Sequence, residues 1–503
     1  MTPIINDFCQ GNLCFQVLLL PVTGRYRDNI VLCFTKLTMS RSSTSVVVVG
    51  AGIAGLSTAY HLLEAGFTKV IVLEASDRHG GRILSVIPKE GEGAIELGGT
   101  CIHGASVENP VFRLATEWGM ADSLSLSDRI CGQFREENGE IIDEELVRQV
   151  WELFLKMEAS MDKIYTERKH SKDFPSSKTF KEYAEETRPQ ILQEFPEEKE
   201  RERADKVFNV ILNYCRFMNG DELDKVSADF IGQYKSFPGP EMTFMGKGYT
   251  GFVDKLADKL PGDIIRYNTE VTKILWEKST VEVRCKNGQT YTADHVVITC
   301  PLGHLKANYK NMFEPELPES KAGAIERTGF GRVAKLFVYY DQPFWKEGIK
   351  LAWSEQGQPN TEKSDWTKQL VFFEMLPANP KALGGPFAGR GAEIMESLSE
   401  EEVASACTEL LRKFFNDPHI PKPTKLLRSN WISNPLFRGG YTYLSTENRS
   451  DDMQHLAAPL PDQRRPKVLF AGEATHPDYY STVHGAYLSG ARESQRLIEL
   501  YEQ

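Results

Sequence analysis

The sequence predicts an α/β protein in which a parallel β-α-β domain is joined to a second domain of mixed sheet and helices. Three observations carry that expectation. Val46 to Val49 form a run of β-branched residues suited to a short strand buried on both faces. Gly50, Gly52 and Gly55 follow as G-x-G-x-x-G, and Leu56 to Ala65 carries apolar residues at helical spacing. A second apolar run, Val70 to Leu73, ends at Glu74. Strand, glycine turn, helix, strand and acidic residue thus stand in the order a dinucleotide site requires. The first glycine permits the tight turn, the second lets backbone N–H groups approach a pyrophosphate, and the third lets the helix pack on the strand. The helix N-terminus supplies partial positive charge, and Glu74 is placed to accept from ribose hydroxyls.

The continuation Arg78-His79-Gly80-Gly81-Arg82 gives R-x-G-G-R directly after the acidic residue. This pattern resembles the signature of the flavin amine oxidase family. The resemblance implies FAD rather than NAD, with the motif against the pyrophosphate and ribose and Arg82 as the charge partner. Arg78 reads as a residue of a solvated basic loop.

The chain has 503 residues, 41% hydrophobic and 26% charged, which suits a globular protein with a large core and room for several domains. A net charge of −11 argues against a nucleic-acid binder and is compatible with a cationic substrate, because a negative field concentrates cations. Nine cysteines lie scattered without C-x-x-C or metal-ligand spacing, so reduced thiols in the cytoplasm and no metal site are expected. Residues 1–44 read as an extension outside the fold. Its apolar run Leu13 to Val22 is too short to span a membrane and contains Pro21, and Met39 is an alternative start.

In chain order, Gly93 to Gly104 (GAIELGGTCIHG) resembles the family's loop beside the isoalloxazine ring. That implies cofactor contacts from Gly99, Thr100, Cys101 and Ile102, and an active-site role for His103. Gly99 stands where alanine is usual and Cys101 where tryptophan is usual. Glu144 to Met161 and Glu197 to Tyr214 have apolar residues three and four apart, as amphipathic helices do. Asp221, Glu222 and Asp224 are acids that could meet a distal ammonium at the cavity mouth. Gly246 to Tyr249 leads into a helix ending near Leu260. Ile264 to Trp276, Thr280 to Lys286 and Gln289 to Ala293 then read as strands, with Asn287-Gly288 as a hairpin turn. His295 to Pro301 is another buried strand. Val271 sits where relatives pair backbone with adenine; as a residue it is equally a plain core valine.

Lys335 lies in Val333 to Phe337 and is followed by Leu336, Phe337 and Val338, an unusual place for a charge. In the family the matching lysine holds a water against flavin N5. Trp345, Trp353 and Trp366 read as core. Trp431, Pro435, Tyr441 and Tyr443 resemble W-x-x-x-P-x-x-x-G-x-Y-x-Y, which implies that one tyrosine, preferably Tyr441, faces the substrate. The segment Leu469 to Gly490 (LFAGEATHPDYYSTVHGAYLSG) resembles the last flavin signature, with Glu473, Thr482 and Val483 on the cofactor and Tyr480 and Ser481 toward substrate. Ser481-Thr482-Val483-His484 replaces the flavin-linking cysteine of monoamine oxidases, so FAD should be non-covalent. Polyamine oxidases commonly carry threonine where Val483 stands.

Signatures from Val46 to Gly490 make this chain similar to the polyamine oxidase branch of the family. The fold expected is a Rossmann-like FAD-binding domain (45–135, 246–310, 446–503) with a mixed-sheet plus helical substrate domain (136–245, 311–445). The resemblance implies oxidation of a secondary amine in a polyamine, with oxygen as acceptor, and no nucleic-acid or membrane partner. An L-amino acid or monoamine oxidase, or a non-catalytic FAD-bearing scaffold, shares the cofactor signatures and stays open at this point. A cavity arginine would favour the amino acid oxidase.

Overall fold

The computed structural model describes residues 5–10, 13–18, 37–38, 40–120, 123–125, 132–171, 174–354, 363–376 and 378–502. The expected extension over 1–44 falls largely outside the described residues, and Met39 wholly so.

Five strands form a fully parallel sheet: β1 (Ser45–Val49), β2 (Lys69–Leu73), β3 (Ile265–Arg266), β4 (His295–Ile298) and β5 (Val468–Phe470). Their spatial order is β3-β2-β1-β4-β5. The chain leaves β1 for β2 on one side and later returns as β4 on the other, so β1 and β4 flank a topological switch point, where open α/β sheets bind ligands. The valine run is buried on both faces, as its composition requires. Val46 and Val48 pack with Leu56, Leu62 and Leu497, whereas Val47 and Val49 pack with Leu302, Leu305 and Phe313. Each buried valine contributes roughly 2 kcal/mol of hydrophobic stabilisation.

Helix α1 (Ile53–Glu64) follows the glycine turn and α2 (Val483–Leu500) lies against it. α1 starts at Ile53 rather than Leu56, because Gly52 in extended geometry serves as its N-cap. The contact with α2 needs a small residue, since a Cβ on Gly490 would stand 2.3 Å from the Ala54 carbonyl oxygen. Ser57 Oγ donates to the Tyr487 carbonyl at 2.8 Å and Ser494 Oγ to that of Thr58 at 3.0 Å.

The long strand expected over Ile264 to Trp276 is two strands. Ile265–Arg266 completes the parallel sheet, Asn268 turns the chain with φ 52°, and Val271–Leu275 starts an antiparallel sheet with Val281–Cys285 and Thr290–Ala293. A hydrophobic run cannot show a register break made by one residue in the left-handed region. The Asn287-Gly288 turn forms where expected, with Gly288 at φ 85°.

The second half of the molecule has a six-stranded mixed sheet, in the order Lys425–Arg428, Val333–Tyr339, Asn379–Ala388, Phe372–Leu376, Ile349–Ala352, Gln133–Glu136. Its last pair is parallel and the others are antiparallel. Trp345, Trp353 and Trp366 are buried in the core behind this sheet. Helices Glu144–Arg168, Phe180–Leu192 and Glu198–Asn219 pack together at its side. Asp143 caps the first, the Thr179/Glu182 capping box starts the second, and Gly220, left-handed at φ 86°, ends the third.

A Cβ placed on Gly55 would lie 1.9 Å from the Gly50 carbonyl oxygen. Gly55→Ala therefore forces strand and helix apart and costs on the order of 3 kcal/mol. A denaturant midpoint shows this directly, and a loss below about 0.5 kcal/mol, the range of neutral surface changes, would contradict it.

Candidate active site

One cavity of about 1010 Å³ runs from the C-terminal ends of β1 and β4 to the mixed sheet. Lys335, His103, Tyr441, Tyr443, Tyr480, Ser481 and the cofactor residues expected from the sequence line it, except Gly55 and Ile102. Gly55 acts in helix packing, as expected of the third glycine. Ile102 is a correction: its N–H donates to the Met242 carbonyl at 2.7 Å, and its side chain is buried in the core around α1 instead of facing the cavity.

The β1 end is shaped for a diphosphate. Gly50 has φ 105° and a Cβ there would meet Thr299 Oγ1 at 2.7 Å, so only glycine allows β4 to approach. Around the Cβ direction of Gly52 nothing lies within 4 Å, and α1 has no side-chain cap. Its first N–H groups are thus open to the cavity, where the helix dipole favours an anion. Glu74 is buried; one oxygen accepts from Ala51 N–H at 2.7 Å and the other from Ser76 N–H at 2.9 Å. Arg78 is not solvated, contrary to expectation. Its guanidinium turns inward and donates to the carbonyls of His79, Gly81 and Ile83, bracing the glycine loop.

Glu473 is 4% exposed and joins several segments. Its Oε1 accepts from Arg82 Nη1 at 2.9 Å and Thr442 Oγ1 at 3.0 Å, and its Oε2 from Ser481 N–H at 2.7 Å. Arg82 also donates to the Gly440 carbonyl at 2.7 Å. Thr482 caps α2 by accepting from Gly485 N–H at 2.9 Å, which places that helix N-terminus in the same wall. The uncapped start of α1, the open space at Gly52 and the buried acid beside it together fit a dinucleotide such as FAD.

At the other end stands Lys335, the one residue of Val333–Tyr339 that is not fully buried. Its Nζ donates to the carbonyls of Glu96 and Gly98 and to Thr100 Oγ1. Burial pushes the ammonium below its ordinary range. Gly99 and Val483, both departures from the family pattern, face each other: a Cβ at Gly99 would stand 3.2 Å from Val483 Cγ2. Burial pushes the Cys101 thiol up to about 12, so it is neutral.

His103 Nδ1 lies 3.0 Å from Glu241 Oε1, leaving Nε2 for another partner. His484 packs edge-on to it at 6.5 Å between ring centres. Burial, reinforced by His103 and His476, lowers His484 to about 3, so it stays neutral. Several expected substrate groups are already engaged by protein. Tyr441 Oη donates to the Phe217 carbonyl and Ser481 Oγ to that of Thr442. Tyr443 is 7% exposed and Tyr480 packs edge-on to Tyr234 at 5.7 Å. The three tyrosines offer ring faces and shape to the cavity; the Tyr441 and Ser481 hydroxyls are donating elsewhere. Asp221 is paired with Arg332 and Glu222 with Arg216, and neither they nor Asp224 line the cavity, so the proposed ammonium site there does not hold.

Sequence reasoning missed Glu241, 138 positions from the histidine it holds, and Thr442, which has no motif of its own beyond lying between two tyrosines. It also left Thr299 unmarked, although a hydroxyl after a buried strand is a weak cue for turn bonding; Thr299 Oγ1 donates to the Val49 carbonyl at 2.8 Å.

A parallel sheet with this glycine turn at its switch point, opening into a cavity lined by a desolvated lysine, defines a dinucleotide-dependent redox enzyme. Comparison with known proteins gives the family: the profile described as flavin containing amine oxidoreductase matches residues 53–498. The chain belongs to that family, and its cofactor is FAD. It is 35% identical to a peroxisomal N(1)-acetyl-spermine/spermidine oxidase of Bos taurus over 91% of this chain and 95% of that protein. It is 34% identical to the Homo sapiens protein of the same description, with the same coverage. A probable polyamine oxidase 5 of Arabidopsis thaliana is 31% identical, covering 91% and 98%.

Arg82→Met leaves the Glu473 carboxylate buried without its cation, at a cost of roughly 3 kcal/mol. The variant should melt well below the parent and lose flavin on gel filtration. Parental melting and full flavin content would contradict the assigned pairing.

Proposed function

We propose that this chain oxidises a secondary amine of a polyamine such as spermine, spermidine or an N1-acetylated form, using oxygen and yielding an aldehyde, a shorter amine and hydrogen peroxide. The observation that carries the reading is the charge of the cavity wall. Glu158, Asp162, Glu241, Glu347 and Glu374 face it, whereas its arginine among the described residues, Arg82, is bonded to Glu473. Such a wall attracts a cationic amine and offers no spare guanidinium to a carboxylate. That argues against the amino acid oxidase alternative.

Residues 45–135, 246–310 and 446–503 form the cofactor half in this reading, and 136–245 with 311–445 the substrate half. FAD binds non-covalently across Gly50, Gly52, Glu74, Arg82 and Glu473, with Gly99, Thr100, Cys101, Val271, Thr482 and Val483 completing its walls. When bound it supplies hydride acceptance from the carbon beside nitrogen and electron transfer to oxygen. Thr482 and α2 direct a helix N-terminus toward the place where negative charge develops. Lys335, desolvated and tied to the 96–100 loop, offers a fixed positive donor at the reacting edge. His103, oriented by Glu241, leaves Nε2 free to accept from the substrate nitrogen. The aromatic walls exclude water from the neutral amine. An amine must be unprotonated to lose hydride, so the rate rises with pH through an amine pKa.

The reading places the enzyme in the cytoplasm. Cys101, Cys215, Cys285, Cys300 and Cys407 are free, as suits a reducing compartment, although two relatives are named as peroxisomal. Among the described residues no helix is long and apolar enough to cross a membrane.

Peroxide release with spermine, N1-acetylspermine, spermidine, a monoamine and an L-amino acid tests the substrate class. A polyamine should exceed the last two by at least tenfold in kcat/KM, about 1.4 kcal/mol of discrimination. Preference for the monoamine or the amino acid would overturn the reading. Lys335→Met should slow reoxidation by oxygen roughly 10- to 100-fold, as loss of a charged donor does; unchanged reoxidation would remove Lys335 from the mechanism.

A further inference from the structure

Lys335 has an unusual setting for a buried ammonium. Among the described residues its hydrogen bonds all go to uncharged oxygens: the carbonyls of Glu96 and Gly98 and the hydroxyl of Thr100. Glu96 is the carboxyl group whose charge acts on Lys335, and its own backbone carbonyl is 3.3 Å from Nζ.

The Glu96 side chain is 8% exposed and held at both oxygens. Oε1 accepts from Tyr249 N–H at 2.7 Å and Oε2 from Ser85 Oγ at 2.7 Å. The surrounding loop is pinned as well. Leu97 N–H donates to the Leu84 carbonyl at 2.9 Å, and Trp431 Nε1 donates to the Leu97 carbonyl at 2.8 Å. A Cβ on Gly248 would lie 2.3 Å from Glu96 Oε1, so the helix carrying Tyr249 closes directly over the carboxyl group.

We propose that Glu96 is a positioning residue that acts through Lys335: its carboxyl group, gripped by Ser85 and Tyr249, fixes the carbonyls that receive the Lys335 ammonium and supplies the negative charge that balances it. This rests on the reading of Lys335 as the group beside the flavin.

The proton balance follows from burial. Desolvation pushes the Glu96 carboxyl up to about 7, opposed by the Ser85 hydroxyl, the Tyr249 N–H and the Lys335 charge. Lys335 is moved the other way, below its ordinary range by burial, with the Glu96 charge opposing. The other groups around the pair are settled or paired. The Cys101 thiol is neutral, burial keeps the Tyr249 hydroxyl protonated, Glu241 is held by His103 and Glu374 by Lys350. Above neutral pH Glu96 is ionised and Lys335 has its counter-charge. As pH falls through neutrality Glu96 takes up a proton and that balance is lost.

Glu96→Gln keeps the side chain's shape and lets it still accept from Tyr249, so charge can be separated from packing. Absorption spectra of the oxidised, flavin-loaded protein, recorded without substrate between pH 5.5 and 9, serve as the probe. The parent should show a pH-dependent step near 7, the value of the Glu96 carboxyl. Glu96→Gln and Lys335→Met should each abolish it, and the double variant should look like either single one. Ser85→Ala removes one donor to the carboxylate, so the step should move to higher pH; this variant retains the proposal's test if Glu96→Gln does not fold. A step that survives Glu96→Gln at its parental pH, or that stays in place in Ser85→Ala, overturns the proposal. Loss of flavin in Glu96→Gln with the step unmoved in what remains bound also overturns it, since that marks a purely structural role. The spectra need no amine, so they read Glu96 independently of whether polyamines prove to be the substrate.

Discussion

The Glu473 carboxylate is the interaction on which the site depends. It comes from the turn after β5, yet it receives Arg82 from the glycine loop, Thr442 from the short Thr442–Tyr443 strand and Ser481 from the approach to α2. Arg82 comes from 391 positions away, Thr442 from 31 and Ser481 from eight, and they meet at one buried anion. Because an unpaired buried carboxylate is costly, the four segments are held in register or the charge is stranded. The cavity exists because that junction brings the parallel sheet's switch point and the mixed sheet to face each other.

Division of labour follows from this geometry. The β1–β4 crevice has backbone N–H groups, a helix N-terminus and the Glu74 acid, all suited to a diphosphate and ribose. The mixed sheet contributes Lys335 from the middle of a strand braced on both sides, by Asn379–Ala388 and by Lys425–Arg428. A charge presented from a central strand has little freedom to move, and its donors find fixed carbonyls. The helices at the side supply Glu158, Asp162 and part of the aromatic wall, including Trp151, Phe154 and Tyr214. The flavin does the electron chemistry, and the protein binds and orients what reaches it.

Much of the cofactor site was legible because its residues act through local backbone geometry. Gly50, Gly52 and Gly55 sit at fixed spacing between strand and helix, and Glu74 follows at the end of the next strand; no long-range information is needed to read them. Lys335 stood out as a charge among apolar neighbours. Less legible was everything decided by which segment folds over which. Glu241 meets His103, and Gly99 meets Val483, only through the closed structure. Arg78 resembles a loop cation in sequence, and only the tight glycine turn turns its guanidinium onto three carbonyls. Ile102 lies within a recognisable motif but alternates away from the cavity. Asp221 and Glu222 form an acidic run whose charges are consumed by Arg332 and Arg216, partners no spacing rule could supply.

The central claim is that one cavity holds the dinucleotide across the β1–β4 switch point and presents its reacting edge to Lys335. A crystal structure of the flavin-loaded protein with a slowly reacting polyamine analogue tests it most directly. The account predicts the pyrophosphate at the start of α1 beside Gly52, the ring system between Lys335 and α2, and the amine between the ring and the acidic wall. Density for the ring system away from Lys335, or for the amine outside this cavity, would contradict it.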